Sequence, residues 1–176
     1  MVGLLDSLPM LCLALFVDGA TFSFATTVLL LHYGRLHEPW EVALFGGAAS
    51  AAGSVLQLWL LRLGLRSDRP WMRRFLPARE KVSAAVAQYR SASFLAILLA
   101  RATPLPDAPI KIVAAAAGYP FTLYFVAIFL GALPYYWVLA LVGHKFRIPA
   151  WVLFGALGLI GLGVLVDRWI KSRKRA

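Results

Sequence analysis

The sequence has little of what soluble enzymes use for chemistry. Among 176 residues there is one cysteine, Cys12, and there are three histidines. A lone cysteine excludes a disulfide framework and any cysteine-rich zinc or iron–sulfur site. His32, His37 and His144 are scattered, without metal-ligand spacing. There is no nucleophile elbow, phosphate loop or dinucleotide fingerprint. Glu38 and Glu41 sit together, but beside Pro39, where a solvated loop is the better reading. No catalytic activity, cofactor or metal is therefore expected. Charge is also scarce. Asp, Glu, Lys and Arg make up 15% of the chain, against about 25% in soluble domains.

What is plentiful is apolar. Hydrophobic residues make up 61%, against about 45–50% in soluble domains, and the mean hydropathy is +0.75. This composition excludes disorder and points to a membrane. The length fits one domain with about four to six membrane segments. Asp6 stands where a signal peptide would be positive, so no cleavable leader is expected.

The net charge is +10 and the cations are segregated. One cluster holds Arg62, Arg66, Arg69, Arg73, Arg74, Arg79, Lys81 and Arg90. The other holds Arg168, Lys171, Arg173, Lys174 and Arg175. Lys and Arg flanking membrane segments mark the cytoplasmic side. Both clusters are expected there, attracting anionic lipid head groups. No nucleic-acid partner is expected, because no binding motif accompanies the charge.

Five apolar stretches divide the chain. Three read as spans: 40–65, 121–142 and 148–166. The other two are broken. Residues 8–33 are interrupted around Asp18-Gly19-Ala20-Thr21. Residues 92–118 are interrupted by Arg101, Pro104, Pro106, Asp107, Pro109 and Lys111. Neither arm of either stretch spans about 30 Å of hydrocarbon. Each therefore reads as a re-entrant hairpin, turning at Gly19 in the first and at Pro104, Pro106 and Pro109 in the second. A kinked crossing helix is the alternative. Hairpin, glycine (Gly34), span is followed by hairpin, glycine (Gly118), span. With a cytoplasmic tail the two hairpins enter from opposite faces, which makes an inverted repeat. Lys145 and Arg147 then fall outside, against the charge rule.

The fold class expected is all-α and membrane-embedded, one domain over 1–176. It comprises a first hairpin and span (8–65), a cytoplasmic linker (66–91), a second hairpin and span (92–143), a last span (148–166) and a basic tail (167–176). Within the linker, Val82, Ala85, Val86 and Tyr89 recur at helical spacing after Pro77, as in an amphipathic helix on the inner leaflet. A soluble helical hairpin is the alternative there. Small residues four apart in the second stretch (Gly46/Ser50, Gly47/Ala51, Ala49/Gly53) allow close helix packing, within one chain or in a homo-oligomer. Pro134 predicts a kink, and Tyr135 and Tyr136 read as core or belt residues.

Asp18, Arg101, Asp107 and Lys111 are ionisable groups at membrane depth, and such groups are functional candidates by default. They are the candidate substrate-binding set. Arg101 suits a phosphate, since its guanidinium is bidentate and always charged. Asp18 or Asp107 could carry a proton, because burial raises a carboxyl pKa. A purely structural network is the alternative.

Phe16-Val17-Asp18, followed by an apolar arm to Gly34, resembles the first hairpin of DedA-type proteins, the VTT-domain or SNARE-associated Golgi protein family. Arg101-Ala102-Thr103-Pro104 resembles that family's Arg-x-x-Pro motif. Thr103-Pro104-Leu105-Pro106-Asp107 is similar to the small YqaA-like branch. The likeness covers about 8–145. The chain departs from the pattern at three places. Thr27 stands where a second acid is common, Ser23-Phe24-Ala25 replaces a Pro-x-Pro turn, and Asp107 replaces a second arginine. The resemblance implies movement of a lipid or lipid carrier across a bilayer, as a flippase or scramblase, or a role in envelope homeostasis. A non-transporting scaffold is the alternative. The location implied is a bacterial or archaeal plasma membrane, with the C-terminus in the cytoplasm.

Overall fold

The computed structural model describes residues 6–21, 25–66, 94–103 and 108–146, together with 149 and 155. Six helices order the described residues, with no strand among them: α1 (Leu8–Ala20), α2 (Thr26–Gly34), α3 (Pro39–Arg66), α4 (Phe94–Ala102), α5 (Ala108–Ala116) and α6 (Phe121–Phe146). The expected linker helix, last span and basic tail lie outside the described residues.

Two helices are long and apolar enough to cross a membrane, over Pro39–Leu65 and Phe121–Phe146. At 1.5 Å per residue, the 26 residues of the second extend about 39 Å, more than the hydrocarbon thickness of about 30 Å. Pro39 occupies the first position of α3, where its missing N–H costs nothing. Pro134 lies inside α6 without ending it.

The internal repeat has a measurable register. Helix boundaries recur at one constant interval: Ala20 and Ala102, Thr26 and Ala108, Gly34 and Ala116, Pro39 and Phe121. The packing repeats as well. In the first half α1 lies on α3, and in the second half α4 lies on α6. The returning arms cross over, α2 packing on α6 and α5 on α3. Even the ends of the long helices correspond. Arg62 of α3 donates to the Tyr119 carbonyl, with its guanidinium 4.4 Å from the centre of the Phe121 ring. At the same interval, His144 Nδ1 of α6 donates to the Gly34 carbonyl (3.2 Å). α3 thus grips the loop that opens α6, and α6 grips the end of α2 that leads into α3.

Glycines set the helix separations. A Cβ on Gly53 would stand 2.0 Å from the Phe16 carbonyl oxygen, and one on Gly19 would stand 2.4 Å from the Ser50 oxygen. Those two contacts bring α1 onto α3. On α6, a Cβ at Gly143 would meet the Leu31 oxygen at 2.2 Å, and one at Gly131 would meet the Leu98 oxygen at 2.5 Å. Of the small residues of α3, Gly46, Ser50 and Gly53 therefore meet this chain's own α1, and Gly47 meets its α6. Gly19 does not form a turn, as its sequence context suggests. It lies inside α1, and the absence of a side chain there serves close approach. Pro109 likewise lies in the first turn of α5, a position that tolerates proline. Pro104 and Pro106 lie outside the described residues.

Gly118 ends the second arm for a different reason. Its φ is +68°. Gly118 N–H bonds to Ala115 O (3.3 Å) and Tyr119 N–H to Ala114 O (3.0 Å), the paired bonds of a Schellman cap. A Cβ added at this position would meet nothing within 4 Å, so Gly118→Ala should cost only the left-handed strain, about 1–2 kcal/mol. Gly118→Asn should cost less. Thermal unfolding in detergent would measure both, and an unchanged midpoint for the alanine variant would refute the strain argument.

Candidate functional site

The polar groups of this apolar chain collect where the two broken stretches meet the long helices. At the first break, α1 ends at Ala20 and the Thr21 hydroxyl turns back onto Val17 O (3.0 Å) and Asp18 O (3.1 Å). This serves carbonyls that a helix end leaves open. The Asp18 carboxylate spans the break. Its Oδ1 accepts the Ala25 N–H (2.9 Å) and its Oδ2 accepts the Thr26 hydroxyl. The negative charge thus caps the N-terminus of α2, where the helix dipole favours it.

The second break begins the same way. The Thr103 hydroxyl turns back onto Leu99 O (3.1 Å) and Ala100 O (3.3 Å). Arg101, in the last turn of α4, reaches inward. Its Nη2 donates to Ser50 Oγ of α3 (2.6 Å) and to the Tyr136 hydroxyl of α6. The Tyr136 hydroxyl donates in turn to Ser50 Oγ (2.8 Å). The guanidinium carbon lies 5.4 Å from the centre of the Tyr136 ring. Asp18 and Arg101 are 7% and 8% exposed, and Ser50 and Tyr136 are fully covered.

Tyr136 is the junction. Asp18 as well as Arg101 acts on its hydroxyl electrostatically. Two buried polar groups therefore face each other across Tyr136: Asp18 with Thr26, and Arg101 with Ser50 and Tyr136 itself. They draw one residue each from α1, α2, α6, α3 and α4. Ser50 lies about 17 Å along α3 from Pro39 at helical rise, near the middle of that 28-residue helix. If α3 crosses a bilayer, the network sits near its midplane.

Lys111 forms a second chain. It is 2% exposed, and its Nζ donates to Gln57 Oε1 (2.9 Å). Gln57 Nε2 donates to the Thr21 carbonyl. Ser50 and Gln57 are seven residues apart on α3, hence on one face of the helix.

Of the residues singled out from sequence, Asp18 and Arg101 converge on Tyr136, and Lys111 reaches the end of α1 two turns further along α3. Asp107 lies outside the described residues. The sequence alone does not single out Thr26, Ser50, Gln57 and Tyr136 as polar partners. Ser50 sits in a run of glycines and alanines and reads as packing. Tyr136 reads as core or belt. The available signal is physical: a tyrosine hydroxyl inside a span must find a partner. Thr27, at the position where the resemblance has an acid, lies 3.3 Å from the Tyr135 hydroxyl. Among the described residues no group of three or more His, Cys, Asp or Glu could hold a metal ion.

A family model described as VTT domain matches residues 20–145, a region that begins where α1 ends and holds both breaks and nearly all of both long helices. No curated protein and no solved structure matches the chain.

Proposed function

The chain belongs to the VTT-domain family, and from that premise we propose that it moves an anionic amphiphile, a lipid or lipid carrier, across the bilayer. One observation carries the reading. A buried carboxylate from one helix–break–helix pair and a buried guanidinium from the other both act on Tyr136, near the middle of two helices long enough to cross a membrane. Charge at such a depth is costly, about 2.5–3.5 kcal/mol per residue on insertion scales. A passive core of Leu and Val would avoid that cost.

In this reading the two broken stretches are re-entrant hairpins entering from opposite faces. The constant repeat interval and the crossed packing of the returning arms support that arrangement. Arg101 is the head-group ligand, since a guanidinium forks onto phosphate oxygens. Asp18 balances it when the site is empty and can exchange a proton as the substrate passes. Lys111 and Asp107 add charge of each sign at the second hairpin. The segments 77–90 and 167–176 lie on the inner leaflet, each basic residue there contributing about 1 kcal/mol of attraction to anionic lipid. The protein resides in a plasma membrane with its C-terminus in the cytoplasm, has no catalytic activity and belongs to the YqaA-like branch.

Head-group-resolved translocation in proteoliposomes tests the function. Labelled phosphatidylglycerol should cross faster than in protein-free vesicles, and faster than phosphatidylcholine. A folded, correctly inserted protein that moves neither would leave the scaffold reading. Topology is tested separately in a Cys12→Ser background. Thr21→Cys and Thr103→Cys, both at exposed break positions, should react with an impermeant thiol reagent from opposite sides of a sealed bilayer. Reaction of both from one side would rule out opposed hairpins.

A further inference from the structure

The two long helices carry two apolar grooves between them, and the repeat makes these one feature formed twice. The first, about 380 Å³, is lined by Trp40, Ala43 and Leu44 of α3 and by Leu133, Pro134 and Trp137 of α6. The second, about 480 Å³, is lined by Ala52 and Val55 of α3 and by Phe121, Thr122, Phe125 and Val126 of α6. The interval that relates the helix boundaries carries Trp40, Ala43 and Leu44 onto Thr122, Phe125 and Val126. It carries Ala52 and Val55 onto Pro134 and Trp137. Between the grooves the helices touch, since a Cβ on Gly47 would meet the Phe129 ring at 3.6 Å. Ala43 and Val55 lie on either side of Ser50, twelve residues apart on α3, or about 18 Å at helical rise. Where α3 crosses a bilayer, one groove therefore opens in each leaflet.

The grooves differ in charge at their outer ends. Arg62 stands seven residues beyond Val55, on the same face of α3 and about 10 Å further along it. Its guanidinium carbon lies 4.4 Å from the centre of the Phe121 ring, which lines the second groove. Arg66 follows one turn later, within the basic cluster. At the first groove Trp40 instead lies between Glu38 and Glu41, and the repeat interval carries Arg62 onto His144.

We infer that the second groove binds an anionic phospholipid of its own leaflet, with a tail seated between α3 and α6 and the phosphate held at the Arg62 end. The inference rests on the proposed function for the class of ligand. It adds a site at the membrane surface, apart from Arg101 at mid-depth. The groove falls in the size range of small-molecule sites, about 300–1,000 Å³, and shares their apolar lining. Apolar contact with a tail is not directional, so selection for an anion must come from the arginines, which are charged at every physiological pH. The first groove offers a tail the related surfaces of the same two helices without that cation. It is an internal control.

Phosphatidylglycerol and phosphatidylcholine, each with a diazirine in one acyl tail, test this in vesicles of otherwise identical composition, with adducts located by mass spectrometry. Phosphatidylglycerol should label Phe125 and Val126 about tenfold more than phosphatidylcholine does. The two lipids should label Leu44 and Trp137 alike. Ala52→Phe, which fills the second groove from α3, should abolish labelling there and leave the first groove unchanged. Arg62→Gln combined with Arg66→Gln should remove the head-group preference, and Arg62→Lys should retain it. Arg66→Glu leaves the Arg62 bond to Tyr119 in place and should lower the preference. It preserves the test if the glutamine variant fails to fold.

Equal labelling of the second groove by the two lipids overturns the inference. So does absence of label there, the result if residues 150–166 of this chain cover it. A disulfide-linked dimer through Val126→Cys in a Cys12→Ser background would assign the groove to a second copy and overturn it too. Labelling and translocation are read separately. Head-group preference at the second groove in a protein that moves no lipid keeps this site and removes the transport reading. Translocation without that preference removes this inference alone.

Discussion

Gly53→Ala should destabilise the protein by about 3 kcal/mol or more, at or beyond the upper end of ordinary overpacking costs, and the expressed protein should lose its cooperative unfolding. The added methyl would stand 2.0 Å from Phe16 O, and 2.9 Å from both Phe16 C and Ala20 N. All three are backbone atoms of one helix, so no rotamer change relieves the clash. The only relief is to move α1 off α3. That same movement lifts Gly19 from Ser50, and with it the end of α1 that presents Asp18. Gly47→Ala is the control on the same helix. Its methyl would meet Phe129 and Leu133 side-chain atoms at 3.6–3.8 Å, an ordinary contact. The glycine-to-alanine gain in helix propensity then applies, up to about 1 kcal/mol in favour of the variant. Thermal unfolding in one detergent ranks the pair. If the two variants unfold at the same temperature, the close approach of α1 and α3 is not what positions the site.

The all-helical character of the described residues, the two helices long and apolar enough to cross a membrane and both breaks are legible in the sequence because each rests on a strong signal. Apolar runs of more than twenty residues have few alternatives. A charge or a cluster of prolines inside such a run leaves a mark that composition cannot hide. The repeat is legible as an order of elements, but its constant interval is not. Helix ends at Ala20 and Ala102 carry no shared motif beyond the threonine that follows each. Gly34 and Gly118 look like equivalent punctuation, yet they act differently: Gly34 lets α2 approach Ala140 of α6, whereas Gly118 supplies a left-handed cap. Gly19 misleads because glycine in a polar neighbourhood signals both a turn and a close approach, and only the partner helix decides between them. Ser50 and Tyr136 are hidden for a related reason. A hydroxyl among alanines, and a tyrosine among aromatics, become site residues only through a neighbour that lies far away in sequence.

Replacing Arg101 should give the largest functional effect, and the series of replacements separates function from support. Arg101→Ala removes the donor to Ser50 and Tyr136 and takes a cation out of a buried region that also holds the Asp18 carboxylate. Breaking one side of a buried charge arrangement typically costs about 3–5 kcal/mol. Lost transport in that variant alone would therefore be ambiguous. Arg101→Lys keeps the charge but loses the fork. Its transport should fall at least tenfold while the protein remains folded, because a point charge reproduces the electrostatics and not the bidentate geometry. Tyr136→Phe keeps the ring under the guanidinium and removes only the hydroxyl that bonds to Arg101 and Ser50, so it should weaken transport less than Arg101→Lys. The decisive variant is the double substitution Arg101→Met with Asp18→Leu. Apolar replacement of a whole buried ionic arrangement is often neutral or stabilising, so this protein should unfold at or above the wild-type temperature. It should also be inert in phosphatidylglycerol translocation. A stable but inactive double variant means that the charges are kept for the substrate's sake. A stable double variant that moves lipid at the wild-type rate would refute the transport mechanism, whatever holds the two broken stretches together.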